Sequence, residues 1–318
     1  MGATVALPVA SRGEETGLQS TLARLTHTFL LKDYDLAATL SSGQVFRWRK
    51  WGESWVGVAG GRWVKLQGEG RRLTAEVAEA VEDWDWLRHY LQLDLDLEEV
   101  LRRFPDDEPM RRAVSACRGL RLLRQEPWEC LASFILSSNK QILQIQQIIS
   151  ELCRRYGDAV AVPTGHLPAQ AFPSPGRLAA ATETELRECK MGFRARYLLE
   201  TARRVEGGEC DLAALGRLPM DQAREELLRL PGVGRKIADC VLLFAYGFQP
   251  AFPVDVWVMK ALRQLYFPGR RVNLARLHQF AAEHFAPNAG YAQQYLFHYM
   301  RTKSSGRRNP KTTTTGEP

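Results

Sequence analysis

The chain has 318 residues and a net charge of +7, and such a basic excess favours polyanionic partners, because cations that neutralise phosphates release counterions. Hydrophobic residues make up 45% and charged residues 25% of the chain, which is typical of a soluble globular protein with two or three domains. No apolar run approaches the ~20 residues of a membrane helix, and the first 18 residues lack the pattern of a secretory signal, so we expect no membrane partner.

The six cysteines are widely dispersed and form no C-x-x-C pair. This spacing argues against a zinc ribbon and a disulfide framework, and it fits a reduced intracellular setting. No cysteine follows Cys240, which excludes a C-terminal iron–sulfur loop held by four cysteines. We therefore expect no metal among the site residues.

The first part of the chain has the pattern of an antiparallel sheet. Ser54–Val58 and Arg62–Leu66 alternate between polar and apolar residues, and Gly60-Gly61 lies between them. Because both glycines tolerate positive φ, this arrangement predicts a β-hairpin. Two further segments alternate in the same way, Phe46–Arg49 and Leu73–Val77. The pattern favours a sheet with one face exposed to water.

After about residue 80 the apolar residues recur with a helical period, as in Trp84, Leu87 and Leu91. Short interruptions by Pro and Gly separate the later helices, and the C-terminal end is low in hydrophobic residues. The predicted fold class is therefore α+β, with four segments: a flexible lead-in at 1–20, an N-terminal antiparallel β-rich domain at 21–118, a mainly α-helical domain at 119–300 and a disordered basic tail at 301–318.

A helix, a tight turn and a second helix are predicted around the Pro-Gly-Val-Gly run at 231–234. Asp221 is the candidate cap of the first helix, and the second helix is expected to begin near Arg235 and end at Gly247. The glycines on either side of Val233 let backbone N–H groups point outward beside a helix N-terminus, where they can bind a phosphate without reading bases. A plain helix–turn–helix corner has the same pattern.

Lys236 stands in the first turn of the second predicted helix. An exposed lysine is protonated at neutral pH and is a poor nucleophile, but the positive field at the start of a helix favours the neutral amine. Cys240 follows one turn later on the same face and can contact the lysine stem. Such a lysine could attack an electrophilic carbon, while a solvated lysine beside a phosphate site is the alternative that the local pattern leaves open.

Asp255 precedes an amphipathic run that contains Val258, Leu262 and Leu265, so it is a candidate N-cap. An N-cap carboxylate is rigidly aimed and is kept ionised by backbone donors. It could stabilise positive charge at a sugar C1′ or take a proton from an attacking amine. A purely structural cap is compatible with the same pattern.

At this point the sequence resembles a known family. The stretch LPGVGRKIADCVLLFAYGFQPAFPVDVWV at 230–258 resembles the helix–hairpin–helix–Gly/Pro-Asp superfamily of DNA glycosylases and, within it, the 8-oxoguanine DNA glycosylases. Other segments resemble the same family in the same order: SSGQVFRWR at 41–49, GLRLLRQEPWECLASFILSSN at 119–139, MGFRARYL at 191–198 and GYAQQYLF at 290–297. The resemblance implies a TATA-binding-protein-like sheet domain followed by a helix–hairpin–helix glycosylase domain.

The resemblance also implies a bifunctional DNA glycosylase and AP lyase of base-excision repair, whose partner is double-stranded DNA containing 8-oxoguanine. Lys236 would attack C1′ of an extruded nucleotide and expel the base, and the resulting Schiff base would permit β-elimination. Asp255 would be its electrostatic and proton-transfer partner, and a charged pairing would join Lys236 to Cys240. The residues of the phosphate-binding hairpin would be Leu230, Gly232, Val233 and Gly234.

The base pocket implied by the family would contain Gly43, Cys240, Gln293, Phe297 and Trp257. The Gly43 carbonyl would sense the N7–H that 8-oxoguanine has and guanine lacks, and a buried mismatch there would cost about 1–3 kcal/mol. Gln293 would bond the Watson–Crick edge and Phe297 would stack on the base, since their i, i+4 spacing places them on one helix face. Without the family, a turn glycine and a half-buried helix would explain these residues.

Four residues would read the strand opposite the lesion and open the stack. Asn139 would fill the hole left by the base, Phe193 would be the wedge, and Arg194 would bond the orphaned cytosine. Gln144 stands where many relatives have a second arginine, which puts a strict preference for cytosine in doubt. Trp257 stands where the family often has histidine, which puts one phosphate or active-site contact in doubt.

The family implies no cofactor, apart from a structural monovalent or divalent cation that would bridge the hairpin and a DNA phosphate. We expect a monomer, located in the cytoplasm or nucleoid of a bacterium or in the nucleus of a eukaryote. Two other functions stay open. A monofunctional glycosylase for alkylated bases has the same fold but lacks the lysine, and a non-catalytic helix–hairpin–helix DNA-binding module needs neither Asp255 nor a sheet domain.

Overall fold

The structure is a computed structural model that describes residues 25–306, with side chains described as far as Lys303. The predicted lead-in at 1–20 and the end of the predicted tail, 307–318, lie outside the described residues. Between residues 25 and 306, no helix combines the length and the apolar character needed to cross a membrane.

A five-stranded antiparallel sheet forms the N-terminal part of the fold, in the order β1-β5-β4-β3-β2. Its strands are β1 (Thr26–Leu30), β2 (Arg49–Trp51), β3 (Ser54–Ala59), β4 (Arg62–Glu69) and β5 (Arg72–Val77). Ala59 pairs with Arg62 across the β3–β4 turn, where Gly60 and Gly61 have φ of 56° and 72°. The predicted hairpin is thus confirmed, because these dihedrals favour glycine at both positions.

The predicted strand at 46–49 is wrong except at its last residue. Phe46 and Trp48 are only 6% and 3% exposed, and both lie in a loop. The Phe46 ring meets the Phe134 ring edge-on at 5.7 Å between centroids, and the Trp48 indole N–H donates to the Tyr90 hydroxyl at 2.8 Å. The alternation therefore marks a loop whose aromatic side chains enter the protein core.

The rest of the described chain is mainly helical. In chain order the helices are α1 (Leu36–Ser41), α2 (Asp85–Leu91), α3 (Leu97–Arg102), α4 (Glu108–Cys117), α5 (Pro127–Ser137), α6 (Ile142–Tyr156), α7 (Pro175–Ala179), α8 (Glu183–Leu186), α9 (Arg194–Glu206), α10 (Leu212–Leu215), α11 (Met220–Leu228), α12 (Arg235–Val241), α13 (Val256–Leu265), α14 (Leu274–His284) and α15 (Ala289–Gly306). Two π-helical turns, Arg187–Met191 and Leu242–Tyr246, follow α8 and α12, and a small sheet pairs β6 (Ala159–Val160) with β7 (Ala169–Gln170). This architecture, a sheet followed by helices, confirms the predicted fold class.

Two clusters of buried apolar residues hold the molecule together. The first lies under the sheet and takes its members from residues 29–91 and from Leu123. The second fills the helical part, and α3 and α4 contribute to it although the sequence analysis placed them with the sheet at 21–118: Leu97, Val100, Met110 and Ala113. Packing therefore groups α3 and α4 with the helices, and α4 contacts α15.

The helix before the hairpin begins differently from the prediction. Its N-cap is Pro219, so Asp221 is not the cap and lies inside the first turn of α11. Asp221 pairs instead with Arg224, three residues later. A carboxylate in the first turn is still favourable there, because it faces the positive end of the helix dipole.

The second helix of the hairpin begins and ends as predicted, and the helix after Asp255 begins as predicted. α12 starts at Arg235, and its π-helical extension ends at Gly247, which has φ of 78°. Asp255 caps α13 by accepting a hydrogen bond from the Val258 N–H at 2.8 Å. Two helix starts are thereby placed near each other, one carrying Lys236 and the other Asp255.

The last helix extends further than the sequence suggested. α15 continues through Gly306, so the predicted disordered tail does not begin at residue 301. The start of that segment extends the helix that carries Gln293 and Phe297.

A partly buried ion pair joins the loop after α1 to the helical part. Arg47 Nη1 lies 3.3 Å from Glu129 Oε2 on α5, and the Arg47 guanidinium also donates to the Gln170 carbonyl. The two side chains are 10% and 25% exposed. Removing one partner of such a pair is costly, because the other charge stays buried without compensation.

We predict that Glu129→Ala lowers the free energy of unfolding by about 3 kcal/mol. The matched control is Glu98→Ala, which breaks the exposed Lys32–Glu98 pair and should cost less than about 1 kcal/mol. Chemical denaturation of both variants measures the difference. Equal losses in the two variants would contradict a structural role for the Arg47–Glu129 pair.

Candidate active site

Lys236 is half-buried at the second position of α12, as predicted. Its Nζ lies 3.3 Å from Ser137 Oγ at the end of α5 and 5.0 Å from the centroid of the Phe134 ring. The Ser137 hydroxyl in turn donates to the Phe134 carbonyl at 2.7 Å. These contacts hold the Lys236 amine against α5, close to the apolar Phe134 ring.

Three aromatic rings pack against one another next to the Lys236 amine. Phe134 stacks on Phe244 with ring centroids 5.6 Å apart and planes inclined by 14°, and Phe46 meets it edge-on from the loop after α1. All three rings are buried. A cation over such a ring gains electrostatic stabilisation, and the surrounding rings keep water away from one side of Lys236.

Cys240 is 3% exposed and lies one turn after Lys236 on α12. Burial raises the pKa of its thiol to about 12, although the nearby Lys236 acts in the opposite direction. At neutral pH the residue is therefore a neutral thiol. This direction of the pKa shift does not favour the charged pairing implied by the family, because desolvation of a thiolate opposes its attraction to the lysine.

Asp255 faces the same space from the start of α13. Burial raises the pKa of its carboxyl above the usual 3.8, while the Val258 N–H and Lys236 oppose that rise. The N-cap bond fixes the direction of the carboxylate, and the electrostatic interaction with Lys236 places the two groups in one site. The sequence paired Lys236 with Asp255, and the structure brings them together.

A second group of predicted residues meets where the loop after α1 touches α15. Gly43 has φ of 85°, and a Cβ added to it would lie 2.9 Å from Ile142 Cδ1, 3.0 Å from Arg301 Nη1 and 3.4 Å from Phe297 Cε1. The absence of a side chain at Gly43 is therefore required by both the backbone conformation and the space. Gly43 and Phe297, predicted from separate motifs, are direct neighbours.

Gln293 lies one turn before Phe297 on α15 and is 4% exposed. Its Oε1 atom is buried and has no hydrogen-bond partner among the residues that the structure describes. A buried amide oxygen without a donor costs free energy unless a ligand or water satisfies it. This orphaned acceptor beside Phe297 is a feature expected of a binding pocket.

Trp257 is the pocket residue least tied to the others. It is half-buried on the first turn of α13, two residues after Asp255, and its ring lies 5.7 Å from Lys260 Nζ. Within residues 25–306, no ring contact or hydrogen bond joins it to Gly43 or Phe297. Its proximity to Asp255 is what places it at the edge of the site.

Asn139 and Phe193 form an exposed edge next to the site. Asn139 is exposed with φ of 53°, directly after α5, and Phe193 is 53% exposed just before α9. The Phe193 ring packs edge-on against Tyr197 at 5.9 Å between centroids. An exposed aromatic ring that packs against a neighbouring ring in this way has the form expected of a side chain that inserts into a stack of bases.

Arg194 lies behind this edge and is 4% exposed. Its guanidinium donates to the Ser138 and Met191 carbonyls, and it lies 4.4 Å from the centroid of the Phe193 ring. Burial lowers the pKa of the guanidinium. In this conformation Arg194 supports Phe193 and the turn before Asn139, and it can reach a base only after it leaves these partners.

Gln144 is exposed on the first turn of α6 and has a local partner. Its Oε1 accepts from the Gln141 N–H at 3.2 Å, and the two residues form a capping box. The side chain therefore serves the helix start. Its neighbour Leu143 is 65% exposed, so this turn presents an amide and an aliphatic group to solvent.

The hairpin at 230–234 exposes its glycine backbone to solvent, while its larger side chains are buried. Leu230 and Val233 are 4% and 6% exposed, while Gly232 and Gly234 are exposed. A Cβ on Gly232, where φ is 75°, would lie 2.8 Å from atoms of Tyr197. Since no side chain caps α12, the N–H groups at its start are available to an anion.

Sequence reasoning missed three residues of this site. Phe134 and Ser137 hold the lysine, and Arg301 contacts the Gly43 loop. The spacing of Arg301, four residues after Phe297 on one helix, was an available signal. The roles of Phe134 and Ser137 depend on a contact between distant helices, which the sequence does not reveal. Between residues 25 and 306, no group of three or more His, Cys, Asp or Glu residues is arranged to hold a metal ion.

Comparison with known proteins matches the chain over most of its length. Residues 28–131 match the family described as "8-oxoguanine DNA glycosylase, N-terminal domain", and residues 132–285 match the "HhH-GPD superfamily base excision DNA repair protein" family. A probable N-glycosylase/DNA lyase of Methanothermobacter thermautotrophicus is 33% identical over 68% of this chain and 74% of its own. N-glycosylase/DNA lyase OGG1 of Arabidopsis thaliana is 32% identical over 86% of this chain and 78% of its own.

A solved structure agrees with these matches. It is the 8-oxoguanine glycosylase/lyase of Clostridium acetobutylicum in complex with double-stranded DNA containing cytosine opposite 8-oxoG. The two chains superpose with a TM-score of 0.81 and are 32% identical, and the alignment covers 88% of this chain and 99% of that one.

We predict that Asp255→Asn stabilises the protein at neutral pH. Asn preserves the N-cap and removes a buried charge. Because the pKa of Asp255 in the folded state is raised above 3.8, the stability that this carboxyl contributes is present below 3.8 and is lost as pH rises through the folded-state value. The variant should therefore have a higher Tm at about pH 7, and the gain should shrink as pH falls toward about 4.

The control is Asp211→Asn, which makes the same change at the exposed N-cap of α10. Thermal melts of the unmutated chain and both variants across this pH range provide the measurement. A Tm of Asp255→Asn below that of the unmutated chain at neutral pH would mean that burial of the charge is not the dominant cost at this position.

Proposed function

The chain belongs to the 8-oxoguanine DNA glycosylase family of the HhH-GPD superfamily, and on that basis we propose that it is a bifunctional DNA glycosylase and AP lyase of base-excision repair. Its substrate is double-stranded DNA that contains 8-oxoguanine. The observation that carries the proposal is the placement of Lys236 and Asp255 at two helix starts that face one partly dehydrated space. This pair supplies a nucleophile and a charge-stabilising carboxylate together.

The reaction begins with extrusion of the damaged nucleotide, since the glycosidic bond is not accessible inside the duplex. The lone pair of the neutral Lys236 amine forms a bond to C1′, and the electrons of the C1′–N9 bond leave with the base. Asp255 in its ionised form stabilises the positive charge that develops on the sugar. The nitrogen bonded to C1′ then loses one proton, and the leaving base takes up one proton.

The covalent intermediate then permits strand cleavage. The nitrogen lone pair forms a second bond to C1′ as the C1′–O4′ bond breaks, and O4′ takes up a proton, which gives a protonated Schiff base between Lys236 Nζ and C1′. Loss of a proton from C2′ moves electrons toward the bond between C3′ and its phosphate oxygen, and that bond breaks. The Ser137 hydroxyl and the neutral Cys240 thiol keep the nitrogen in place through these steps.

Recognition of the base depends on the pocket between the Gly43 loop and α15. The Gly43 carbonyl accepts the N7–H of 8-oxoguanine, Phe297 stacks on the base, and Gln293 bonds its Watson–Crick edge. The buried, unpartnered Oε1 of Gln293 supports this assignment. A guanine has an acceptor at N7, so it would leave the Gly43 carbonyl facing a second acceptor.

In this proposal the protein binds the duplex through contacts with the DNA backbone and through contacts with the bases. The hairpin from Leu230 to Gly234 holds a phosphate through backbone N–H groups. Phe193 enters the stack, and Asn139 fills the space that the base leaves. A cation that joined the hairpin to the phosphate would be held by backbone carbonyls and would add charge neutralisation. The Leu230 carbonyl accepts a hydrogen bond from the Val233 N–H at 3.1 Å, and a carbonyl oxygen has a second lone pair that can bind a cation.

Because its substrate is DNA, the enzyme acts inside the cell. The finer assignment is to the cytoplasm or nucleoid of a bacterial host, or to the nucleus of a eukaryotic one. A monomer suffices for this function, because the lysine, the aspartate, the pocket and the hairpin all lie on one chain.

We predict that borohydride traps a covalent adduct between the chain and a duplex containing 8-oxoguanine. Lys236→Gln should abolish the adduct, because the substitution removes the amine that forms the Schiff base, while Lys65→Gln on β4 should leave it unchanged. Gel electrophoresis of the trapped complex measures it. Base excision without an adduct from the unmutated chain would instead support the monofunctional glycosylase, and binding without excision would support a DNA-binding module.

We predict that Gln144→Arg narrows the preference for the opposite base to cytosine. An arginine offers donors that match the acceptors of cytosine, whereas Gln144 is engaged in the capping box. The control is Gln147→Arg, which adds the same charge one turn later on the exposed face of α6. The measurement is the rate of 8-oxoguanine excision opposite each of the four bases. Unchanged ratios in Gln144→Arg, or an equal change in Gln147→Arg, would argue against reading of the opposite base at this position.

A further inference from the structure

Arg301 lies near the end of α15 and joins that helix to the loop that carries Gly43. Its Nη2 donates to the Ser41 carbonyl at 2.5 Å. Its guanidinium carbon lies 5.7 Å from the centroid of the Phe297 ring, one turn earlier on α15. One side chain thus contacts both parts of the pocket.

The contact with the loop occurs beside Gly43 itself. Arg301 Nη1 lies 3.0 Å from the point where a Cβ on Gly43 would stand, and Phe297 Cε1 lies 3.4 Å from the same point. The guanidinium, the Phe297 ring and the Gly43 backbone therefore touch around one small volume. Any movement of Arg301 changes the space between the other two.

A neighbouring residue of α15 strengthens this connection. The Gln294 side-chain amide donates to the Ser42 carbonyl at 3.2 Å, and Gln294 is 2% exposed. The carbonyls of Ser41 and Ser42, directly before Gly43, are thus each bonded by a side chain of α15. The orientation of the next peptide, which carries the Gly43 carbonyl, depends on these two anchors, because successive peptide planes share one Cα atom.

We propose that Arg301 is a positioning residue for recognition of the damaged base. It fixes the Gly43 carbonyl relative to the Phe297 ring, so that the width of the slot and the direction of the acceptor are set before the base enters. The inference rests on the proposed function, because it gives Arg301 a task in the same pocket. Arginine suits this task, since its planar group can donate to a carbonyl while one face lies on an aromatic ring.

The proposed role of Arg301 concerns binding of the damaged base and not the reaction at the sugar. Lys236 and Asp255 lie on α12 and α13, and they act at C1′ whether or not a base is present. A duplex that already contains an abasic site offers no base to the slot, so strand cleavage at that site needs the lysine but not the anchored loop. This difference separates a role in base positioning from a general loss of structure.

The experiment compares Arg301→Ala with the unmutated chain on two duplexes, one with 8-oxoguanine and one with an abasic site at the same position. Single-turnover excision of 8-oxoguanine should fall about tenfold or more, as expected when a buried hydrogen bond is misaligned. Cleavage at the abasic site should stay within about twofold. Arg301→Lys should give an intermediate excision rate, because a lysine keeps the charge and one donor but loses the planar contact.

The matched control is Lys303→Ala, which removes an exposed cation from the same helix end and should leave both rates unchanged. Equal loss of both activities in Arg301→Ala would overturn the inference and assign the residue a structural role. Unchanged excision in Arg301→Ala would overturn it as well. If the unmutated chain neither excises 8-oxoguanine nor cleaves an abasic site, the proposed function itself fails.

Discussion

The removal of water from one small space between two helix starts is the constraint on which the site depends. Asp255 is held there by the Val258 N–H and by Lys236 against a burial cost that raises the pKa of its carboxyl. Lys236 is held by Ser137 and by the ring of Phe134. The Asp255 carboxylate is tolerated because the backbone N–H groups at the start of α13 and the nearby Lys236 offset its desolvation. The same low polarity makes the charges effective on a reacting sugar, since electrostatic interactions are stronger where water is excluded.

The base pocket depends on contacts between distant parts of the chain. Gly43 follows the first helix, while Gln293, Phe297 and Arg301 lie on the last. The Arg47–Glu129 pair ties the same loop to α5, whose end supports the lysine. A shift of the loop would therefore move both the residues proposed to bind the base and the end of α5 that contacts Lys236. This coupling explains why buried hydrogen bonds are concentrated around residues 39–44: Gln44 alone bonds to the Thr39 and Arg121 carbonyls and to the Leu123 N–H.

Local sequence patterns correctly predicted those elements whose geometry is set by neighbouring residues. The β3–β4 hairpin, the start of α12 and the Asp255 cap follow from glycine dihedrals and helix capping, which act over a few residues. The strand predicted at 46–49 failed because its alternation comes from two aromatic side chains that enter different parts of the core. The neutral state of Cys240 could not be predicted either, because it depends on how deeply a helix face is buried. Ser137 and Phe134 were missed for the same reason: their contacts with Lys236 span about a hundred residues of sequence.

Gln144 stabilises the start of α6 at a position that the proposed function places beside the opposite base. At the third position of α6 its amide oxygen accepts the Gln141 N–H and completes a reciprocal cap. An arginine side chain has no hydrogen-bond acceptor, so it could not accept the Gln141 N–H. Its donors would then be available to contact DNA. The glutamine thus stabilises the start of α6, which lies next to Asn139 and, through Ile142, against Gly43. Gln144 thus contributes order to the loop that carries Gly43, and under the proposed function this turn would offer fewer hydrogen-bond donors to an opposite cytosine.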